Sequence, residues 1–436
     1  MIGGLIAVLG AALVCAFIYV ASRSVVFGWH CLLVANLLYV AFGSNQIMLG
    51  SLHLDVVDMA SLVLLGAGVI RSFNRINLPG NARIVSLAYL LVFGFSLLRG
   101  IEAFGVQQAS NQARGLVGEV LAMLYFFTSP TDPETIKKIL VAYLRFGAAL
   151  IVVAILHYAG MSIGMTAVDE KDRALPSASG EAIALCFFIG LGWMTYRRSS
   201  RNLRWFLPVF AGMAVVLQHR TVWTVMAVCS VMIMLIDAKL VRRLVSLAVA
   251  TSALAIGLAV FIYGTKGEAT TQFEDSVTNS GTWLWRVEAW QNSLHDDDQT
   301  IYSILLGQPI GKAFVRFDSD SGGYQEVPPH SEYIVQYLRV GCLGLALFLL
   351  FLIMPLIRLV SLQRRDPLAL FPSTSVWCLL AAGAIVYGIT YGFDGPTIAL
   401  VGLANALLLS LRSRSIQQSH ASDAMHLLEA SNQVLS

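Results

Sequence analysis

The chain has 436 residues, 57% of them hydrophobic and 13% charged, with a formal charge of +3 and a mean hydropathy of +0.71. Soluble domains carry about 25% charged residues, so the composition excludes a soluble globular protein, whereas helices facing lipid need no charge. A balance this close to neutral gives no argument for nucleic-acid binding.

Backbone N–H and C=O groups find no water in lipid, so a run of about 20 apolar residues reads as a spanning helix. Such runs occur at 2–20, 25–43, 54–71, 84–99, 114–128, 139–159, 178–196, 205–219, 221–237 and 244–263, then at 331–357, 373–393 and 396–411. The first has no basic residue before it and no clear cleavage site, and reads as a retained helix. The runs at 84–99 and 114–128 are short, and those at 205–219 and 221–237 meet in a tight turn at Arg220. The expected fold is an all-α polytopic membrane protein with 12–13 transmembrane helices. Helices 1–10 fill residues 1–263, a large extracytoplasmic loop fills 264–329, helices 11–13 fill 330–411, and a cytoplasmic tail follows at 412–436. Thirteen helices put the N-terminus outside; twelve put it inside. The six cysteines all lie in apolar runs without a CxxC pair, and read as small core residues.

Lys and Arg concentrate in every second loop: Arg71 to Arg83, Lys137 and Lys138, Arg197 to Arg204, Lys239 to Arg243, and Arg358 to Arg365. The positive-inside rule makes these cytoplasmic. The acid-rich loop 264–329 then falls outside. Within it, 282–294 has helical spacing that puts Trp283, Val287 and Trp290 on one face as interfacial anchors. Residues 307–329, with Gly307, Gly311, Gly322, Gly323 and the Pro328-Pro329 pair, read as irregular. Asp296, Asp297 and Asp298 read as a solvated turn, because three consecutive acids on a helix cannot face one ion. The chain has no visible internal repeat.

Ionisable groups at membrane depth are costly and mark function. Arg220, in VLQHRTVW, is either a headgroup-level arginine or a planar fork of donors for a phosphate, with His219 beside it. His330 follows the Pro328-Pro329 pair, so His330 or Ser331 caps the helix of 331–357. The helix dipole disfavours an imidazolium there, leaving a neutral imidazole that serves as a general base or as a plain cap. Glu332, Gln336 and Arg339 form a polar stripe on that helix. Arg339 is expected about 13 Å deeper than His330, paired with Asp58 or Glu119. Arg286, in the loop helix, and Arg173, just before a helix, are further arginines on the outer side. No P-loop, GxSxG, HExxH or dinucleotide fingerprint is present.

In order, the chain offers an arginine in an outer hairpin (QHRTVW), RxxxW from Arg286 to Trp290, a glycine pair (LLGQPIG) and a histidine opening a helix (HSEYIVQYLRVGCLG). Over about residues 205–355 this resembles the superfamily of O-antigen ligases and Wzy-type polysaccharide polymerases. The resemblance implies a bacterial inner-membrane enzyme that moves glycans off an undecaprenyl diphosphate carrier at the periplasmic face. It implies no metal or cofactor and inversion at the anomeric carbon. By that resemblance His330 deprotonates the acceptor hydroxyl, while Arg220, Arg286 and Arg173 hold the donor diphosphate. Trp290, Tyr324, Glu332 and Tyr333 are the acceptor or sugar contacts, and Trp283 and Trp285 add aromatic faces suited to sugar rings. The family often has His-Asn where this chain has His330-Ser331, and often an acid at Arg339; both departures bear on the acceptor side. Polymerisation of lipid-linked repeat units into exopolysaccharide or O-antigen is the first expectation. Transfer of a finished glycan to lipid A core or to protein is the second. A polysaccharide or lipid transporter without chemistry is the third, and it requires internal repeats and broken helices at the midplane. Expected partners are the lipid-linked glycan, membrane lipids, a chain-length regulator and a flippase, with no nucleic acid.

Overall fold

A computed structural model describes residues 2–43, 47–49, 52–74, 81–129, 132–161, 163, 174–197, 203–248, 252, 281–294, 300–318, 323–326 and 328–411. Within them the chain is an all-α polytopic membrane protein. Six helical segments are long and apolar enough to cross a bilayer, and five shorter apolar helices of 10–17 residues accompany them. Arg173, the three acids Asp296 to Asp298, most of the run 244–263 and the tail 412–436 lie outside the described residues.

Helix α1 (Ile2–Arg23) leads into α2 (Val25–Phe42), where the Ser24 side chain accepts the Phe27 N–H as an N-cap. A short antiparallel hairpin, β1 (Ile47–Leu49) with β2 (Leu52–Leu54), connects to α3 (Val56–Asn74). Helix α4 (Asn81–Ala113) continues through a tight turn at Arg114–Leu116, α5 (Val117–Leu121) and a widened turn at Ala122–Phe126. Asp132 caps α6 (Pro133–Tyr158), with proline at the first helical position where its missing N–H has no cost. Next come α7 (Ser177–Tyr196), α8 (Leu203–Val216), α9 (Arg220–Ile236) and α10 (238–248). The loop region holds α11 (Gly281–Leu294), α12 (Ile301–Leu306) and a second hairpin, β3 (Val315–Asp318) with β4 (Gly323–Glu326). The chain then forms α13 (Glu332–Arg365), α14 (Thr374–Tyr387) and α15 (Gly395–Leu411).

Helix α7 is the centre of the bundle. Its sequence is apolar all round, as expected of a helix with no solvated face, and 89% of its spanning window is buried. Glycines let neighbours close on it: Gly190 receives Leu207 of α8, and Gly192 receives Val376 of α14. The outer helices instead expose large apolar side chains, among them Phe73, Leu91 and Leu235. An apolar belt of this extent suits lipid and not water.

The basic end of the bundle is tied by two knots. Arg71 donates to the carbonyl of Ala21 (2.7 Å) and to Ser129 Oγ (2.9 Å), with its guanidinium 4.3 Å from the Tyr125 ring centre. Asp237 accepts hydrogen bonds from Tyr196, Gln363 and Ser375, gathering the ends of α7, α9, α13 and the start of α14.

Two elements depart from simple spans. At Gly105 (φ 80°) α4 folds back on itself. Val85 and Tyr89 on the first arm share a core cluster with Ala122, Met123 and Phe127 on the second. Both expected runs, 84–99 and 114–128, are therefore arms of one hairpin with its tip at Gly105. The expected single helix over 331–357 is also a hairpin, broken at Gly341 (φ 69°). Phe348 lies 6.5 Å from Tyr333 between ring centres; fifteen residues of continuous helix would separate their backbones by roughly 22 Å. The first arm, 332–340, is a short re-entrant helix. Its tip meets the loop: Gln308 N–H donates to Leu338 O (2.7 Å) and Ser96 Oγ to Arg339 O (2.6 Å), satisfying carbonyls that the break frees.

Arg339 is consequently beside the loop and not deeper than His330. Its expected ion pair is corrected as well. Arg339 donates to Lys312 O (2.7 Å) and Gln112 Oε1 (2.6 Å), and its guanidinium covers the Phe314 ring at 3.8 Å. Gln112 in turn donates to Glu326 Oε1 (2.8 Å), so its amide relays the charge from arginine to carboxylate. Asp58 pairs with Arg114 at 3.4 Å.

Candidate functional site

Helices α8, α9, α14 and α15 have 10–17 residues. At 1.5 Å per residue they reach at most roughly 26 Å, against about 30 Å of hydrocarbon. All four stop short, and the turns joining them, 217–219 and 388–394, meet the start of α7: Ser177 Oγ lies 2.8 Å from Tyr387 OH, and His219 Nε2 3.0 Å from Leu175 O. These two turns form a polar floor toward the end of the bundle opposite the Asp237 knot.

The centre of this floor is Tyr391. Its ring stacks on Tyr387, with centres 5.4 Å apart and planes 20° from parallel. The Arg286 guanidinium sits 4.7 Å from the Tyr391 ring centre, and the His330 ring lies 6.1 Å from it, edge-on. Trp285 packs on the other side of His330 at 5.5 Å. Tyr387 OH and Ser177 Oγ, at the start of α7, are 2.8 Å apart. Thr390 Oγ1 meets Thr221 Oγ1 at 2.7 Å, and Thr221 follows Arg220 directly.

The start of α13 clamps this turn from beneath. Glu332 N–H donates to Gly388 O (2.9 Å) and Tyr391 O (3.2 Å), while Phe393 N–H donates to Glu332 Oε2 (3.3 Å). Tyr333 OH donates to Ile385 O (2.7 Å). These contacts fix the register of the tyrosine turn against His330, which immediately precedes the Ser331 N-cap.

Three of the singled-out positions thus meet around one turn: Arg286 and His330 touch Tyr391, and Trp285 touches His330. His219 and Arg220 directly precede Thr221, whose hydroxyl meets Thr390. His219 is buried, with Nε2 3.0 Å from Leu175 O, and so tethers the lead-in to α7. Arg220 opens α9 and is exposed. The loop helix presents Trp285 to His330, so the face expected from Trp283, Val287 and Trp290 is not the one that reaches the histidine. Trp290 is half-buried on the same helix. Tyr324 lies in β4 opposite Phe317, and its side chain falls outside the described residues, as does that of Trp283. Glu332 is buried, its carboxylate engaged by Gln336 Nε2 (2.8 Å) and Phe393 N–H, and Tyr333 is half-buried. Both support the floor from below rather than line its surface.

Sequence reasoning missed Tyr387, Thr390 and Tyr391. The segment YGITYGFDGP, with three glycines and a proline amid aromatics, interrupts the apolar pattern between 387 and 396. That interruption was the available signal, and the run 373–393 absorbs it.

Carboxyls lie beneath the floor. Glu119 is fully buried, and neither oxygen has an N–H or hydroxyl donor. What it faces is the Glu332 carboxyl, within hydrogen-bonding reach. Tyr89 OH donates to Gln336 Oε1 (2.7 Å) and completes the network.

Chemically, the floor combines a guanidinium on an aromatic face, an imidazole near two aromatic rings and several hydroxyls, with a second arginine beside Thr221 at the start of α9. Guanidinium groups can bind anions and an imidazole can transfer a proton. A surface groove of about 590 Å³ lies elsewhere, on one face of α13 from Leu356 to Arg365 at the basic end, and has no part in this arrangement. Among the described residues, no group of three or more His, Cys, Asp or Glu side chains is arranged to hold a metal ion. No protein-family model matches the chain, and no curated protein matches it.

Proposed function

We propose that the protein is a membrane glycosyltransferase that polymerises undecaprenyl-diphosphate-linked oligosaccharide repeat units, working without metal and with inversion at the periplasmic face of a bacterial inner membrane. The observation that carries this reading is the meeting of His330, Arg286 and the Thr221 end of α9 around the Tyr387–Tyr391 turn. In the reaction, the acceptor hydroxyl oxygen attacks the anomeric carbon of the donor glycan. The carbon–oxygen bond to the diphosphate breaks, and undecaprenyl diphosphate leaves. His330 takes the hydroxyl proton. Arg220 and Arg286 stabilise the charge that develops on the leaving diphosphate, which preorganised cations in a water-poor site do well.

Transfer to lipid A core or protein uses the same chemistry with another acceptor. A transporter is favoured by one specific observation. α4 and α13 both break at glycines, and the buried Glu119 of α5 and Glu332 of α13 accompany them; broken helices with polar residues are a feature of transport sites. Replacing His330 or Arg220 by alanine separates these. For a polymerase, each variant reaches the membrane at wild-type level, long polysaccharide disappears, and lipid-linked single repeats accumulate. Wild-type chain length in the His330→Ala strain removes the histidine from the mechanism and with it this reading.

A further inference from the structure

The groove at the basic end of α13 is a second place where the molecule presents a chemically ordered surface. Its volume of about 590 Å³ is lined, among the described residues, by Leu356, Ile357, Val360, Ser361, Arg364 and Arg365. Helical spacing sorts these six into two neighbouring columns. One reads Leu356, Val360, Arg364 and the other Ile357, Ser361, Arg365. Both run from apolar to cationic in the same direction, with a hydroxyl midway along one, over roughly 12 Å of helix. At the apolar end the groove continues into a stripe of exposed side chains on the same helix, Leu343, Leu350 and Ile353.

Depth and charge narrow the ligand. The second arm of α13, 342–365, is roughly 36 Å long, against about 30 Å of hydrocarbon. Its last turn therefore reaches headgroup level, while Leu356 and Ile357 remain beside acyl chains. Arg364 and Arg365 are exposed, and neither has an ion pair among the described residues. Asp366 comes next, but its Oδ1 accepts the Leu368 N–H (3.0 Å) and it is not among the residues lining the groove. Arginines at the ends of spanning helices are general; what distinguishes these two is the apolar groove that leads to them. We propose that this groove binds an anionic glycerophospholipid. Its phosphate takes the two guanidinium groups, whose planar donor forks match phosphate oxygens. The glycerol region lies at Ser361, and an acyl chain follows Val360, Leu356 and Ile357 toward the exposed stripe. This assignment does not depend on the reaction proposed above.

The test is thermal unfolding of the purified full chain in detergent micelles doped with phosphatidylglycerol or with phosphatidylcholine. A ligand of the folded state stabilises it by mass action, so phosphatidylglycerol raises Tm saturably, by about 2 °C or more, and phosphatidylcholine does not. The double variant Arg364→Gln/Arg365→Gln loses that rise. Lys137→Gln/Lys138→Gln removes the same charge from exposed positions on α6 and keeps it. Ser361→Trp fills the groove without touching charge and also loses the rise, which keeps the test decisive if the arginine variant fails to fold. Equal responses to the two lipids, a full rise in both groove variants, or equal losses in the arginine and lysine variants overturn the assignment. So does an equal rise from inorganic phosphate without lipid, since the apolar columns then contribute nothing.

Discussion

At the level of single side chains, Tyr391 is the residue whose role is most open to measurement. Its ring is the common neighbour of Arg286, His330 and Tyr387. A guanidinium over an aromatic face contributes about 0.5–2 kcal/mol, on the order of twofold to thirtyfold in affinity. Tyr391→Leu is expected to raise KM for the lipid-linked donor by that factor, and Tyr391→Phe to restore most of it because the ring is kept. An equal loss in both variants, measured as initial rates against donor concentration, would show that the hydroxyl and not the ring matters. Arg339 teaches the opposite lesson about charge. It is among the most buried side chains, yet carbonyl and amide oxygens and the Phe314 face hold it, with Glu326 reached only through Gln112. An arginine in an apolar run invites an ion-pair reading, but neutral acceptors take two of this guanidinium's nitrogens, while its buried Nε has no partner among the described residues.

Among the elements, the two glycine hairpins decide how the floor is built. Gly341 adopts φ 69°, and a Cβ there would overlap the Leu305 carbonyl. Gly307, with φ 79°, packs reciprocally against Arg339 and Val340. The loop and the re-entrant arm thus cross at two glycines, and neither tolerates a side chain. Gly341→Ala combines left-handed strain of about 1–2 kcal/mol with overpacking of about 1–3 kcal/mol. It is expected to lower the amount of folded protein in the membrane several-fold, read by immunoblot of membrane fractions. Gly105 has φ 80° but open space around its Cβ position, so Gly105→Ala carries the strain alone and should remain near wild-type level. Similar losses in both would mean that crossing at Gly341 contributes nothing.

For the molecule as a whole, the hairpin at Gly105 makes a prediction about sidedness. Its tip, including Glu102, is exposed and packs beside the loop residues 307–312, while Arg365 is exposed at the other end of the bundle. In a background without native cysteines, a cysteine at Glu102 should react with an impermeant maleimide on intact cells. One at Arg365 should react only after permeabilisation. The reverse pattern would invert the orientation and move the tyrosine turn to the wrong side for a lipid-linked donor.

The apolar runs and the short polar joins determined by themselves that this is a helical membrane protein that crosses the bilayer several times. They also picked out Arg220, Arg286 and His330, because an ionisable group beside an apolar run stands out in any linear reading. Hydropathy is a sum over neighbours in the chain, and such features need nothing more. The reversals at Gly105 and Gly341 leave no mark on that sum: a glycine scores alike inside a helix and at its fold-back, and at Gly341 it is the close approach of Leu305 and Gly307 that accompanies its positive φ. Tertiary structure alone therefore decided that Arg339 turns to the loop, that Glu332 clamps the tyrosine turn and that Tyr391 lies between the arginine and the histidine. Partner choice among residues many positions apart is a property of packing, and packing is settled only when all the helices are present.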